Sequence, residues 1–117
     1  MKLSSENNRV FEEKIYWVNV AGIRYENNDG TSRIRNLLNM QKDDTIILIR
    51  EPDNPYDEYA IKVVYGNNFQ IGYIPKTHSK LISNFLDSGR KYKVPFFLVE
   101  RSEIGYYITC GLTIKIW

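Results

Sequence analysis

Two prolines, Pro52 and Pro55, lie within a short polar loop between two apolar segments in the middle of the chain. Each proline fixes its own φ angle and biases the residue before it toward extended geometry. We therefore expect a stiff, exposed loop that presents Tyr56 and Asp57 in a fixed direction. An aromatic ring beside a carboxylate that only accepts hydrogen bonds suits a ligand with a flat face and a hydroxyl group.

The segments around this loop have the length and composition of short β-strands. Gly66, Asn67 and Asn68 tolerate positive φ angles and predict the turn of a hairpin. We predict strands at residues 45–50, 60–65, 69–74, 92–99 and 106–117, and a further strand in the second half of residues 11–23 that breaks at Ala21 and Gly22.

Two other segments have the apolar spacing of helices. Thr31 or Ser32 can cap a helix that continues to about Met40. A second helix presents an apolar face and ends at Gly89, a residue type favoured just after a helix. Six strands and two short helices in 117 residues predict a mainly β fold, a six-stranded β-barrel of a modified OB-like or SH3-like type.

The composition restricts the class of protein. The chain is long enough for one domain, which we place at residues 11–117 after a disordered tail at residues 1–10. The net charge of +2 is too small for bulk electrostatic binding of nucleic acid, so such binding requires a local site. Cys110 is the single cysteine, which excludes an internal disulfide and favours a reducing compartment such as the cytoplasm. No segment has transmembrane length, and we expect a monomer without membrane contact.

The central loop and two further segments together resemble the HIRAN domain. The matching segments are residues 20–25, 50–63 and 70–76, and the string Glu-Pro-x-Asn-Pro-Tyr-Asp-x-x-Ala-Ile that begins at Glu51 is specific. HIRAN domains occur in eukaryotic DNA-repair helicases and as standalone bacterial or phage proteins, and this chain resembles the standalone type. The resemblance implies a modified OB-like barrel that binds the 3′-hydroxyl end of single-stranded DNA.

The resemblance also implies roles for individual residues. Arg24 and Tyr25 match an Arg-Tyr pair that contacts the phosphate backbone and stacks on a base. Tyr56 and Asp57 match a second stacking tyrosine and the carboxylate that holds the terminal 3′-hydroxyl. Two tyrosines can sandwich a base, with stacking worth about 1–3 kcal/mol per base. The carboxylate repels a through-going phosphodiester and so selects for a strand that ends in a hydroxyl.

Further positions around this site follow from the same resemblance. Lys76 matches a lysine that contacts phosphate, near a predicted helix start where backbone N–H groups also favour anions. Tyr73 lies where the best-understood member of the family has a histidine, and a terminal aromatic of the family pattern falls at Tyr106 or Tyr107. The implied role is in DNA repair or replication-fork processing, with a helicase or nuclease as a candidate partner in trans and with no cofactor.

From the residues alone, plainer interpretations stay open. Asp57 can cap the turn after Pro55 by accepting backbone N–H groups, as turn aspartates usually do. Tyr56 can be a half-buried lid on the barrel, and Arg24 can form a surface ion pair of little energetic value. Glu51 is expected to brace the loop, since a second carboxylate at the site would oppose DNA.

We expect a binding module and not an enzyme. His78 is the only histidine, so a zinc site has no ligand set. Cys110 lies in an apolar strand and is expected to be a core residue. Asp57, Glu58 and Lys62 lack the spacing of restriction-type nucleases. The alternative functions are a protein-interaction module that uses the same loop surface and a metal-dependent nuclease accessory domain.

Overall fold

The structure of the protein is a computed structural model that describes residues 12–102 and 107–117. The predicted tail at residues 1–10 and the candidate aromatic Tyr106 lie outside the described residues. In chain order the elements are β1 (Lys14–Asn19), α1 (Arg33–Asn39), β2 (Ile46–Arg50), β3 (Ile61–Tyr65), β4 (Phe69–Tyr73), α2 (Lys76–Asp87), β5 (Tyr92–Arg101) and β6 (Ile108–Ile116).

The strands form two antiparallel three-stranded sheets, with strand orders β1-β6-β5 and β2-β3-β4. Two backbone hydrogen bonds between Ala21 and Tyr73, 2.8 and 2.9 Å long, connect the chain after β1 to the edge of β4. A second link is the backbone N–H of Leu48, which donates to the hydroxyl oxygen of Tyr92 at 2.9 Å. The predicted mainly β fold with two short helices is confirmed. No ladder among residues 12–102 and 107–117 closes the sheets into one barrel, so the OB-like or SH3-like barrel stays a prediction.

One face of each sheet contributes to a common core, because successive side chains of a strand point to opposite faces. On β6 the fully buried side chains are Cys110, Leu112, Ile114 and Ile116. They belong to one apolar cluster that also contains Ile82 of α2 and buried residues of β2, β3 and β4. The prediction that Cys110 is a core residue is therefore confirmed.

Cys110 is expected to be unreactive in the native protein. Burial raises the pKa of its thiol to about 12, and the thiolate is the form that reacts. Iodoacetamide at mildly alkaline pH should therefore leave the folded protein unmodified and alkylate it fully in guanidinium, as measured by mass spectrometry. Rapid alkylation of the folded protein would contradict the core position of this thiol.

A glycine allows the two sheets to approach each other beside the central loop. A Cβ atom on Gly72 would lie 2.4 Å from the carbonyl oxygen of Ala21 and 2.5 Å from Cγ1 of Val20. Only a residue without a side chain permits so close a contact between β4 and the chain that leaves β1. This contact places Gly22 and Tyr25 next to the residues that follow β2.

Both helices begin and end as the sequence predicts. The Ser32 hydroxyl oxygen caps α1 by accepting a hydrogen bond from the Arg35 backbone N–H at 3.1 Å. Helix α2 starts directly after Pro75, and Gly89 follows it with a φ angle of +83°. Because only Ile74 and Pro75 separate β4 from α2, the first turn of α2 lies beside the central loop.

Candidate nucleic-acid interface

The loop between β2 and β3 is held by side chains that bond its own backbone. The Asn54 carbonyl oxygen Oδ1 accepts hydrogen bonds from the backbone N–H groups of Tyr56 at 2.9 Å and Asp57 at 3.1 Å. Asp57 Oδ1 in turn accepts from the backbone N–H of Tyr59 at 2.9 Å. These are the turns that Asn and Asp side chains stabilise in general. Together with Pro52 and Pro55 they fix the direction in which the loop presents its side chains.

Arg50 ties the far end of the same loop to α2. Its guanidinium donates to the carbonyl oxygen of Ala60 at 2.8 Å and to that of Glu58 at 3.0 Å. It also pairs with the carboxylate of Asp87, at 3.0 Å for the shorter of the two contacts. The loop is therefore anchored on both sides before any ligand binds.

Glu51 braces the loop, as the sequence predicts. Its Oε1 accepts hydrogen bonds from the Tyr73 hydroxyl at 2.7 Å and from Asn54 Nδ2 at 3.0 Å, and its Oε2 lies 3.7 Å from the ammonium of Lys62. Burial, with the hydrogen bond to Glu51 as the next cause, raises the pKa of Tyr73. Tyr73 is therefore a protonated donor at neutral pH and is committed to Glu51.

These contacts frame an open cleft with a volume of about 1060 Å³, which we call the loop cleft. Five of the six predicted site residues line it, namely Tyr25, Tyr56, Asp57, Tyr73 and Lys76. Tyr25 is 73% exposed and Tyr56 is 88% exposed. Tyr56 is therefore not a half-buried lid, and both rings are free to stack on a flat ligand.

The Asp57 carboxylate stabilises the loop by accepting hydrogen bonds and can still accept a further one from a ligand. Its Oδ1 caps the turn at Tyr59, and its Oδ2 accepts a hydrogen bond from the Ser79 hydroxyl at 3.3 Å. The interpretation of Asp57 as a turn cap is thus correct. Each carboxylate oxygen can accept about two hydrogen bonds, so one protein partner per oxygen leaves room for a hydroxyl donor from a ligand.

Lys76 is the first residue of α2, at the edge of the same cleft. The residue before it is Pro75, and no side chain caps this helix end. The first backbone N–H groups of a helix carry partial positive charge and favour an anion. The exposed ammonium of Lys76 adds a full charge, so this end of the cleft suits a phosphate.

The sixth predicted residue, Arg24, is not among the residues that line the cleft. Its guanidinium carbon lies 5.2 Å from the ring centroid of Tyr107, and both side chains are exposed. The two residues therefore stand together, and Arg24 directly precedes cleft residue Tyr25 in the chain. Of the two candidates for the terminal aromatic, Tyr107 is the one that the structure describes.

Sequence reasoning missed a cation inside the cleft, Arg33. It is only 8% exposed, and it donates through Nε to Asn27 Oδ1 and through Nη1 to the Gly22 carbonyl oxygen, both at 2.8 Å. Its guanidinium carbon lies 5.2 Å from the ring centroid of Tyr73. The available signal was its spacing, because Arg33 lies four residues before Leu37 and so shares the buried face of α1.

Within residues 12–102 and 107–117, no group of three or more His, Cys, Asp and Glu side chains could hold a metal ion. Lys62, weighed as a nuclease residue, is paired with Glu51. No helix in the same residues is both long and apolar enough to span a membrane.

The fold and the loop cleft define a small, mainly β domain with an open cleft beside a rigid loop, and a family model identifies the domain further. The model of the HIRAN domain matches residues 16–116. The chain belongs to the HIRAN domain family. HIRAN domains are DNA-binding modules, and this membership makes the loop cleft a candidate DNA interface.

The chain is also similar to three known proteins. The Fanconi-associated nuclease 1 homolog of Arabidopsis thaliana is 43% identical over 42 residues, which are 36% of this chain and 5% of the plant protein, so the chain spans a small part of that relative. The crystal structure of the HIRAN domain of human HLTF has a TM-score of 0.62 and 24% identity, and the match covers 88% of this chain and 74% of that chain. A Lactobacillus plantarum protein has a TM-score of 0.63 and 19% identity, with coverage of 90% and 98%. The two structural matches support the fold.

Proposed function

We propose that this domain binds the 3′-hydroxyl end of single-stranded DNA in the loop cleft. The observation that carries the proposal is the position of Asp57, a carboxylate with free acceptor capacity, in one cleft with two exposed tyrosine rings. A strand end offers a base to the rings and a hydroxyl to the carboxylate. A peptide C-terminus would bring its own carboxylate against Asp57, which weighs against a protein-interaction module.

The cations of the site have separate roles in this proposal. Lys76 and the uncapped start of α2 bind the last phosphate of the strand, because both carry positive charge at the cleft edge. Arg33 is held by Asn27 and Gly22 and contributes a fixed charge from the cleft wall. Arg24 binds a phosphate that lies outside the cleft, next to Tyr107.

A non-enzymatic role in DNA repair or replication-fork processing follows from end recognition. In this proposal the cleft binds a strand end, and the domain delivers such ends to an enzyme that acts in trans. A helicase or a nuclease is the class of partner, and the plant relative that contains a matching segment is named as a nuclease homolog. The single buried cysteine fits a reducing compartment such as the cytoplasm.

The test is a fluorescence anisotropy titration of one oligonucleotide that carries either a 3′-hydroxyl or a 3′-phosphate. We expect the hydroxyl end to bind more tightly by roughly 10- to 150-fold, since a hydrogen bond to a charged group contributes about 1.5–3 kcal/mol. The same exchange at the 5′ end is the control and should leave the affinity unchanged. Equal binding of the two 3′ ends would contradict the proposal.

A further inference from the structure

Arg33 is a buried cation that has no acidic partner among the described residues. It is 8% exposed, and arginine is seldom buried to this extent unless it is paired. None of the ion pairs within residues 12–102 and 107–117 includes it. Its two hydrogen bonds go to neutral acceptors, the Asn27 amide oxygen and the Gly22 carbonyl oxygen. Because a buried charge is normally balanced by a counter-charge, this position favours an anionic ligand.

Part of the Arg33 guanidinium remains available to such a ligand. An arginine carries five N–H donors in a planar fork, and the two hydrogen bonds use one donor on Nε and one on Nη1. Nη2 has no hydrogen-bond partner in the described part of the chain, yet it is not an unsatisfied buried atom, so solvent reaches it. Since Arg33 lines the loop cleft, a ligand in the cleft can reach these donors. A guanidinium fork matches the oxygens of a phosphate.

The neighbouring residues hold this guanidinium in place before a ligand binds. The Asn27 amide nitrogen donates to Thr31 Oγ1 at 3.0 Å and to the Gln70 carbonyl oxygen at 3.2 Å, which orients the amide oxygen toward Arg33. On the other side Gly22 has a φ angle of +75°, and a Cβ atom there would lie 2.9 Å from Nη1 of Arg33. A side chain that is already fixed loses little entropy when it binds a phosphate.

The charges that line the cleft balance one another, namely Arg33, Arg50 and Lys76 against Glu51, Asp53 and Asp57. Arg50 is paired with Asp87, and Glu51 lies 3.7 Å from the ammonium of Lys62. A general attraction for a polyanion is therefore weak in this cleft. A phosphate binds only where a positioned cation meets it, and Arg33 and Lys76 are the two cations of the cleft that no acid in the described residues pairs with.

We infer that Arg33 binds the second phosphate from the 3′ end of the strand, so that the loop cleft holds two nucleotides. This inference rests on the proposed binding of a 3′ end in the cleft. The cleft volume of about 1060 Å³ is at the upper limit of sites for drug-sized ligands, roughly 300–1,000 Å³, and has room for more than one nucleotide.

The order of the two phosphates follows from the neighbours of each cation. The Ser79 hydroxyl in the first turn of α2 bonds Asp57, so the terminal hydroxyl and the last phosphate lie at this helix, where Lys76 is. Arg33 is at the other position. A Cβ atom on Gly22 would meet both its Nη1 and, at 3.8 Å, Cδ2 of Tyr25. A nucleotide that stacks on Tyr25 therefore brings a phosphate to Arg33.

The first experiment uses the unmodified protein and a 3′-hydroxyl oligonucleotide in which one phosphate at a time is replaced by a neutral methylphosphonate. Binding is measured by fluorescence anisotropy. Replacement of the second phosphate from the 3′ end should weaken binding roughly tenfold or more, because it removes the charge from a hydrogen-bonded ion pair. No loss at that position would overturn the inference, whatever the variants of Arg33 do.

The second experiment repeats the scan with Arg33→Gln. This variant should lose the sensitivity to the second phosphate and keep the sensitivity to the last one, which Lys76 binds. Its log–log salt slope should be shallower by about 0.7, for one phosphate fewer. Arg35→Gln is the matched control, because Arg35 is an exposed residue of the same helix that does not line the cleft. It should leave the scan unchanged.

A purely structural role of Arg33 would give a different result. If Arg33 only holds Gly22 and Asn27, Arg33→Gln weakens every oligonucleotide by the same factor and preserves the loss at the second phosphate. That pattern would show the inference to be wrong. Arg33→Lys serves if the glutamine variant melts too low to be titrated. It keeps the charge without the fork, so it should retain the salt slope and bind more weakly than the unmodified protein.

The two proposals fail in different ways. If Arg33 binds no phosphate, the scan shows no loss at the second phosphate, while the preference for a 3′-hydroxyl over a 3′-phosphate remains. If strand-end binding itself is wrong, the unmodified protein shows no such preference.

Discussion

Tyr56→Ala is expected to weaken the binding of single-stranded DNA by about 1–3 kcal/mol, which is roughly 5- to 150-fold in the dissociation constant. The physical reason is the loss of a ring that stacks on the terminal base. Tyr56 is 88% exposed, so its side chain contributes little to folding, and the melting temperature should stay almost unchanged. Tyr56→Phe keeps the ring and should bind nearly as well as the unmodified protein.

A matched control for Tyr56 exists in the same loop. Tyr59 is not among the residues that line the loop cleft, and its ring lies 5.5 Å from the ammonium of Lys80 on α2. Tyr59→Ala should therefore leave the affinity of the folded protein nearly unchanged. Equal losses for Tyr56→Ala and Tyr56→Phe would show that the hydroxyl, and not stacking, is what the ligand requires.

The hairpin of β3 and β4 was predictable because its signal is local. Gly66 and Asn68 have positive φ angles of 55° and 72°, and the sequence offers residues that tolerate them at these positions. The end of β5 was not predictable in the same way. The prediction ended at Val99, whereas Glu100 and Arg101 continue the strand by pairing with Thr109 and Ile108. Polar residues at the end of a strand are held there by backbone pairing with another strand, and the local sequence pattern does not reveal that pairing.

The loop cleft was also predictable only where its signal is local in the sequence. The loop itself was predictable from its prolines and its Asn and Asp residues. The cleft also requires the contact between Ala21 and Tyr73, which are far apart in the sequence, and only the resemblance to a known family connected them. Arg33 was missed because charged residues are rarely buried, and its burial depends on Asn27 and the Gly22 carbonyl.

Asp57→Asn is expected to reduce the discrimination between 3′-hydroxyl and 3′-phosphate ends by roughly tenfold or more. A neutral amide oxygen accepts a weaker hydrogen bond than a carboxylate, so the hydroxyl-ended complex should lose about 1 kcal/mol. The phosphate-ended complex should become tighter, since the amide no longer repels the added negative charge, and this repulsion is stronger in a partly desolvated cleft than in water. Anisotropy titrations of both oligonucleotides with both proteins measure the change.

The fold should tolerate this change because Asn can keep the structural bond. An amide oxygen at position 57 can still accept from the backbone N–H of Tyr59, and Asn serves such turns as well as Asp does. In Asp57→Asn the amide NH2 group replaces one carboxylate oxygen. It then lies where Oδ2 accepts a hydrogen bond from the Ser79 hydroxyl at 3.3 Å, so this bond changes. We therefore expect a small decrease in melting temperature, which must be measured for the unliganded protein beside the titrations.

Asp53→Asn separates a local effect of Asp57 from a general effect of charge. Asp53 also lines the loop cleft and carries the same charge, so Asp53→Asn removes the same single negative charge from the site at a different position. We expect Asp53→Asn to strengthen the binding of both ends to a similar, small extent and to leave their ratio unchanged. If Asp57→Asn melts lower but keeps the full preference for a 3′-hydroxyl when folded, the carboxylate of Asp57 is a turn cap alone, and another group in the cleft recognises the strand end.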